Sequence, residues 1–169
     1  MTETGDEQKK AAIAAVDDDA AKDIVARIAA QVDAWGLVLP KVTPLVLDFG
    51  LGDFWSVGEV EFWIANEMED GYCGKFLFLF EGQTCPNHMH REKLETFYIV
   101  KGRLVMTVDG KSVEMGPGEV LRMEPTRYHA FTAMEPTLVL EVSKPSIVAD
   151  NYFEDRRIPI GGNHSEKSE

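Results

Sequence analysis

The sequence is poor in cysteine, in long apolar runs and in basic residues, and each shortage excludes something. Two cysteines, Cys73 and Cys85, cannot build a disulfide scaffold. The economical reading is two reduced thiols in a cytoplasmic protein. No apolar stretch approaches the roughly 18 residues needed to cross a bilayer. The opening MTETGDEQKK lacks the charged-then-apolar order of a secretory leader. Lysine and arginine total 17 against 29 aspartates and glutamates, for a net charge of −12. A field of that sign repels phosphate backbones and anionic lipid. It argues against nucleic-acid and membrane partners and, mildly, against a phosphorylated substrate.

What is present suits one globular domain. The chain has 169 residues, 44% hydrophobic and 27% charged, enough for a core and too apolar for wholesale disorder. Residues 1–10 are polar and read as frayed. Ile13, Val16, Ala20, Ile24, Ile28, Val32 and Trp35 recur at spacings of three and four, which is one stripe on a helix. The run Asp17-Asp18-Asp19 can split that helix, with Asp19 capping the second part, and Gly36 and Pro40 stop it. Residues 1–40 therefore read as a helical extension. Beyond Pro40 the texture changes to short apolar runs: 60–65, 76–80, 95–100, 104–108, 120–123 and 137–142. Glycine-bearing turns separate them, and Asp109-Gly110 is a two-residue hairpin signal. Many short strands at regular spacing predict an antiparallel sandwich or barrel over 41–160. Residues 161–169 read as a loose tail.

Three of the four histidines fall where strands are expected. His88 and His90, two apart, would face the same way on a strand. Glu95 follows a short turn, REKL, and His129 follows Pro125-Thr126-Arg127-Tyr128. Three imidazoles and a carboxylate make a nitrogen/oxygen ligand set suited to Mn²⁺, Fe²⁺, Co²⁺, Ni²⁺ or Zn²⁺. A barrel wide enough for one small ligand would bring such strands together at its mouth. By spacing alone, a histidine pair on a solvated strand face reads as well.

The pattern Gly82-x5-His88-x-His90-x4-Glu95-x6-Gly102 reproduces the first cupin motif at every fixed position. The second motif is partial: Pro125 and His129 are present, but Arg127 and Ala133 stand where glycine and asparagine are usual. The segments LDFGLGDF (47–54), YCGK (72–75), EGQTCPNHMH (81–90), LETF (94–97), PTRYHAF (125–131), LEVS (140–143) and FEDRRI (153–158) resemble the D-lyxose isomerase type of cupin. Similar blocks occur in cupin segments associated with sialic-acid synthases. The resemblance spans roughly residues 45–158.

That resemblance implies an all-β cupin, a double-stranded β-helix or jelly-roll barrel, preceded by an N-terminal α-helical segment. It also implies a small, metal-dependent, commonly homodimeric protein that interconverts an aldose and its ketose, usually with Mn²⁺. By position, the implied metal ligands are His88, His90, Glu95 and His129. Lys93 and Glu141 are the implied catalytic residues. Lys75 matches a recurrent lysine, although on the residues alone it reads as a strand-start charge. One departure stands out: the isomerases of this type carry a longer insertion where only REKL joins His90 to Glu95.

Moving a hydrogen between C1 and C2 of a sugar requires charge stabilisation at the carbonyl and a base for the C2 proton. On a strand 137–143, Leu138, Leu140 and Val142 share one face and Val139, Glu141 and Ser143 the other. If the first set packs outward, Glu141 points into the barrel. Lys93 would then shuttle a proton between the oxygens or fix a hydroxyl. Phe97, Phe131 and Tyr128 read as barrel core that can also wall a pocket. Met68, Met89, Met106 and Met123 read as packing, and Cys85 as a small buried hydrophobe. Three function classes stay open: a ketol-isomerase on a sugar near D-lyxose or D-mannose, an Fe²⁺-dependent oxygenase, and a non-catalytic sugar-binding cupin. Glu141 and Lys93 favour proton transfer, and the missing insertion favours the binder.

Overall fold

The computed structural model describes residues 3–165. The chain begins with α1 (Glu3–Ala11), a 3-10 turn (Ala12–Ala14) and α2 (Asp18–Ala34). α1 is helical where the polar composition suggests fraying. Tertiary contact decides it: Glu7 and Ala11 are buried, and Glu7 Oε2 accepts the Val148 N–H at 2.7 Å. The cap of α2 is Asp17, two residues earlier than expected, and its side chain accepts the Ala20 N–H at 2.9 Å. Asp18 and Asp19 instead sit in the first turn, where the helix dipole favours negative charge. Ile24, Ile28 and Val32 form the buried stripe. Ile13 is exposed, because it lies in the 3-10 turn rather than on the helix.

The strands follow as β1 (Leu45–Leu47), β2 (Glu59–Glu67), β3 (Tyr72–Leu79), β4 (Thr84–His90), β5 (Glu95–Lys101), β6 (Leu104–Val108), β7 (Lys111–Met115), β8 (Val120–Met123), β9 (His129–Ala133), β10 (Thr137–Ser143) and β11 (Asn151–Phe153). They form two antiparallel sheets, in the orders β1-β2-β3-β10-β5-β8 and β11-β4-β9-β6-β7. Asp109 (φ 47°) and Gly110 (φ 78°) turn β6 into β7, and positive φ at both positions is what a type I′ hairpin needs. Gly102 has φ +82°, and a Cβ there would meet Pro136 O at 2.3 Å, so only glycine fits the β5–β6 turn.

Two apolar layers result. Leu77, Leu79, Phe97, Ile99 and Val139 of one sheet meet Cys85, Leu104, Met106 and Phe131 of the other. On the outer face of the six-stranded sheet, Ile24, Ile28 and Val32 of α2 cover Val60, Phe62, Phe78 and Leu138. The middle of that sheet is therefore buried on both faces. Near the C-terminus, Gly162–Ser165 form one helical turn, α3, where Asn163 Nδ2 donates to Phe153 O at 3.1 Å. The rest of the expected tail, 166–169, lies outside the described residues, as do residues 1 and 2. Among the described residues, no helix is long and apolar enough to cross a membrane.

Candidate metal centre

The two sheets bring His88, His90, Glu95 and His129 together, all four buried, with one ligand atom from each lying within 4.8 Å of every other. His88 and His90 come from β4, His129 opens β9 and Glu95 opens β5. A β-bulge sets the aim of β4. Cys85 pairs with Phe131 and His88 with His129, so three steps on β4 oppose two on β9. The extra residue lets Cys85, His88 and His90 all face inward.

Each imidazole is oriented through its Nδ1. His88 Nδ1 lies 2.8 Å from Pro86 O, His90 Nδ1 3.2 Å from Asp150 O, and His129 Nδ1 3.0 Å from Arg127 O. A carbonyl oxygen only accepts, so Nδ1 carries the hydrogen and Nε2 keeps a free lone pair. His90 Nε2, His129 Nε2 and Glu95 Oε1 are buried without a hydrogen-bond partner. His129 Nε2 approaches Glu95 Oε1 to 2.8 Å, but this contact lacks hydrogen-bond alignment. Lone pairs converging on one point without donors between them suit a cation. Bonds of about 2.1 Å to a shared ion would place ligand atoms about 3–4 Å apart, which fits the cluster. Burial, together with the neighbouring rings of His129 and His90, holds the His88 imidazole well below its usual range, so it is neutral and able to ligate. Burial opposes ionisation of Glu95, but the Lys93 ammonium together with the His129 and His90 rings outweighs it and holds the carboxyl well below the usual range. A buried His/Glu set of this kind can hold a divalent metal.

The sequence-implied catalytic pair lies against this cluster. Lys93 Nζ is 2.8 Å from Glu95 Oε2 and in contact with Glu141 Oε1, and both side chains are buried. Glu141 does point inward, because Leu138 on the opposite face packs under α2. Burial favours a neutral Lys93, yet the carboxylates of Glu141 and Glu95 hold its pKa above the ordinary lysine value. Lys75 is no strand-start charge. It is buried, 3.0 Å from Glu61 Oε1 and 3.8 Å from Glu141 Oε2. These acidic and basic side chains line one pocket with about 590 Å³ of empty space, open mouth included, and Phe97 and Phe131 are among its walls. Tyr128 is half-buried and is not among the lining residues. Both thiols are free and buried, and burial raises Cys85 well above its usual value.

Sequence reasoning missed three contributors. Asp150, beside β11, accepts the backbone N–H groups of Arg91, Glu92 and Lys93 at 3.0–3.2 Å through its carboxylate. Its carbonyl takes His90 Nδ1. One buried residue thus shapes the short REKL turn, carries Lys93 into the site and orients a candidate ligand. No local signal announces it, since the contact spans about sixty residues. Glu59 and Glu61 of β2 also line the pocket. Their alternation with Val60 and Phe62 reads as polar-out, apolar-in. Because α2 covers the Val60/Phe62 face, the glutamates turn to the interior instead.

Residues 77–143 match the model of a family described as Cupin domain. The chain is 34% identical over 141 residues to a D-lyxose/D-mannose isomerase of Thermosediminibacter oceani, covering 67% of this chain and 77% of that protein. It is 31% identical over 146 residues to a D-lyxose ketol-isomerase of a Thermofilum species, covering 68% and 79%. An Acinetobacter L-ribose isomerase, solved in complex with L-ribose, superposes with a TM-score of 0.69 over 86% of this chain and 95% of that one. At 16% identity, that likeness speaks for the fold alone.

Proposed function

The chain belongs to the D-lyxose ketol-isomerase family of cupins, and on that premise we propose that it interconverts an aldose and its ketose by proton transfer between C1 and C2 through an enediol. The D-lyxose/D-xylulose or D-mannose/D-fructose class is the one its relatives' names support. The observation that carries this reading is the buried Lys93–Glu141 pair, in one pocket with His88, His90 and Glu95 of the three-histidine, one-glutamate cluster.

His88, His90, Glu95 and His129 would hold a divalent cation, with Mn²⁺ our choice among Mn²⁺, Zn²⁺, Fe²⁺, Co²⁺ and Ni²⁺. When bound, such an ion supplies Lewis-acid polarisation of a carbonyl and the neighbouring hydroxyl. Glu141 is the base that takes the C2 proton and returns it to C1. Lys93 holds Glu141 in place and offers a proton to the sugar oxygens. Phe97 and Phe131 wall the pocket beside this step. An oxygenase reading of the same ligand set leaves Lys93 and Glu141 without a task, as does a purely binding role. We further propose a cytoplasmic homodimer without nucleic-acid or membrane partners.

The test is to incubate Mn²⁺-loaded protein with D-lyxose and D-mannose. D-xylulose or D-fructose should form. No ketose across a panel of pentoses, hexoses and their phosphates would overturn the proposal.

A further inference from the structure

The wall of the pocket formed by β2 is more polar than the chemistry at C1 and C2 requires. Glu59, Glu61 and Trp63 face inward from consecutive same-face positions. Glu61 is fully engaged: Trp63 Nε1 donates to Oε2 at 2.7 Å and Lys75 Nζ to Oε1 at 3.0 Å. Glu59 is not. It is 4% exposed and its carboxyl lies against Glu61 and the Cys85 thiol, yet its Oε2 is buried with no hydrogen-bond partner, although the residue lines the open pocket. A buried carboxyl oxygen without a partner is costly to the fold. The neighbouring inward positions Leu77, Leu79 and Cys85 show what a purely structural wall uses here.

We propose that Glu59, backed by Glu61, forms a second polar subsite that hydrogen-bonds a hydroxyl of the open-chain sugar away from its reacting carbons. This deepens the reading above and rests on the pocket being a sugar site. Placement supports it. In the six-stranded sheet, β3 separates β2 from β10, so Glu59 stands about 10 Å in strand spacings from the strand that carries Glu141. The contacts Glu61–Lys75 and Lys75–Glu141, at 3.0 and 3.8 Å, bridge the two strands at Glu61, and Glu59 stands two residues farther along β2 on the same face. Burial, with the Glu61 charge beside it, pushes the Glu59 carboxyl well above the usual range. A sugar hydroxyl both donates and accepts, so it can pair with the Glu59 carboxyl in either protonation state.

The experiment is calorimetric binding to the Mn²⁺-loaded protein of D-lyxitol, the unreactive alditol of D-lyxose, and of its 5-deoxy analogue. The wild-type protein should prefer D-lyxitol by about tenfold. Glu59→Leu should bind the two alike, with its metal content unchanged, and Glu59→Met serves the same comparison if the leucine variant does not fold. Wild-type protein that binds both alike or neither, or a variant that keeps the wild-type preference, overturns the subsite. Binding is read without turnover, so the two failures separate. A Glu59-dependent preference with no ketose formation defeats the isomerase reading only, whereas ketose formation with no Glu59 dependence defeats the subsite only.

Discussion

Glu141 and His88 sit in one pocket and are assigned different tasks, which separates them experimentally. Glu141→Gln removes the base and keeps the imidazole cluster. Turnover should fall by about 10²–10⁴-fold, while elemental analysis still finds stoichiometric metal. His88→Ala should lose metal and turnover together. Unaltered turnover in the first variant, or full metal in the second, would reject the assignment. At this scale the sequence is partly legible. Motif and resemblance point to the three histidines, Glu95, Lys93 and Glu141, and the fold gathers them. Lys75 reads on the residues alone as a strand-start charge, and nothing local singles out Glu59, Glu61 or Asp150. Their meaning depends on what covers the other side of the strand or on a contact far along the chain.

Glu59 also gives a pH signature. Its carboxyl is raised above the ordinary value of 4.5 by burial and by Glu61. The folded chain therefore binds that proton more tightly than the unfolded chain. The stability it contributes is complete below the unfolded pKa and is lost as pH rises through the folded one. The amide introduced by Glu59→Gln does not titrate. The melting temperature of the variant should gain on that of the wild type as pH rises from about 5 to about 8. A difference that stays constant with pH would contradict the buried-acid assignment.

At the level of elements, periodicity carries far. The runs beginning at 60, 76, 95, 104, 120 and 137 all form strands, and the Asp109-Gly110 hairpin is present. Periodicity cannot show the bulge between Cys85 and His88, since one unpaired residue leaves no mark in composition. Nor can it show that α2 packs on the outer face of the six-stranded sheet. That packing turns Glu59, Glu61, Lys75 and Glu141 inward, so α2 supports the site without touching its chemistry. Ile28→Ala should cost about 2–5 kcal/mol of stability, measured by denaturant unfolding. The folded variant should still take up stoichiometric metal. A cost below about 1 kcal/mol would mean that the helix does not anchor the sheet.

For the whole molecule, the groups facing the pocket include more carboxylates than ammoniums, with the imidazoles of His88 and His90 among them. Such an interior is more stable with a cation in it. Chelation should lower the melting temperature, and restoring divalent metal at about a hundred times its dissociation constant should return about 2.7 kcal/mol. A melting temperature indifferent to chelator would speak against the cluster as a metal centre. The net charge of −12 and the capacity for a closed apolar core are legible from composition. The convergence of both sheets on one point requires the fold.

The most direct measurement is proton NMR of D-lyxose incubated in D₂O with the metal-loaded protein. The account predicts D-xylulose with deuterium entering at the carbon that receives the proton, and neither signal with Glu141→Gln. A fully metallated protein that yields no ketose and no deuterium exchange would contradict it.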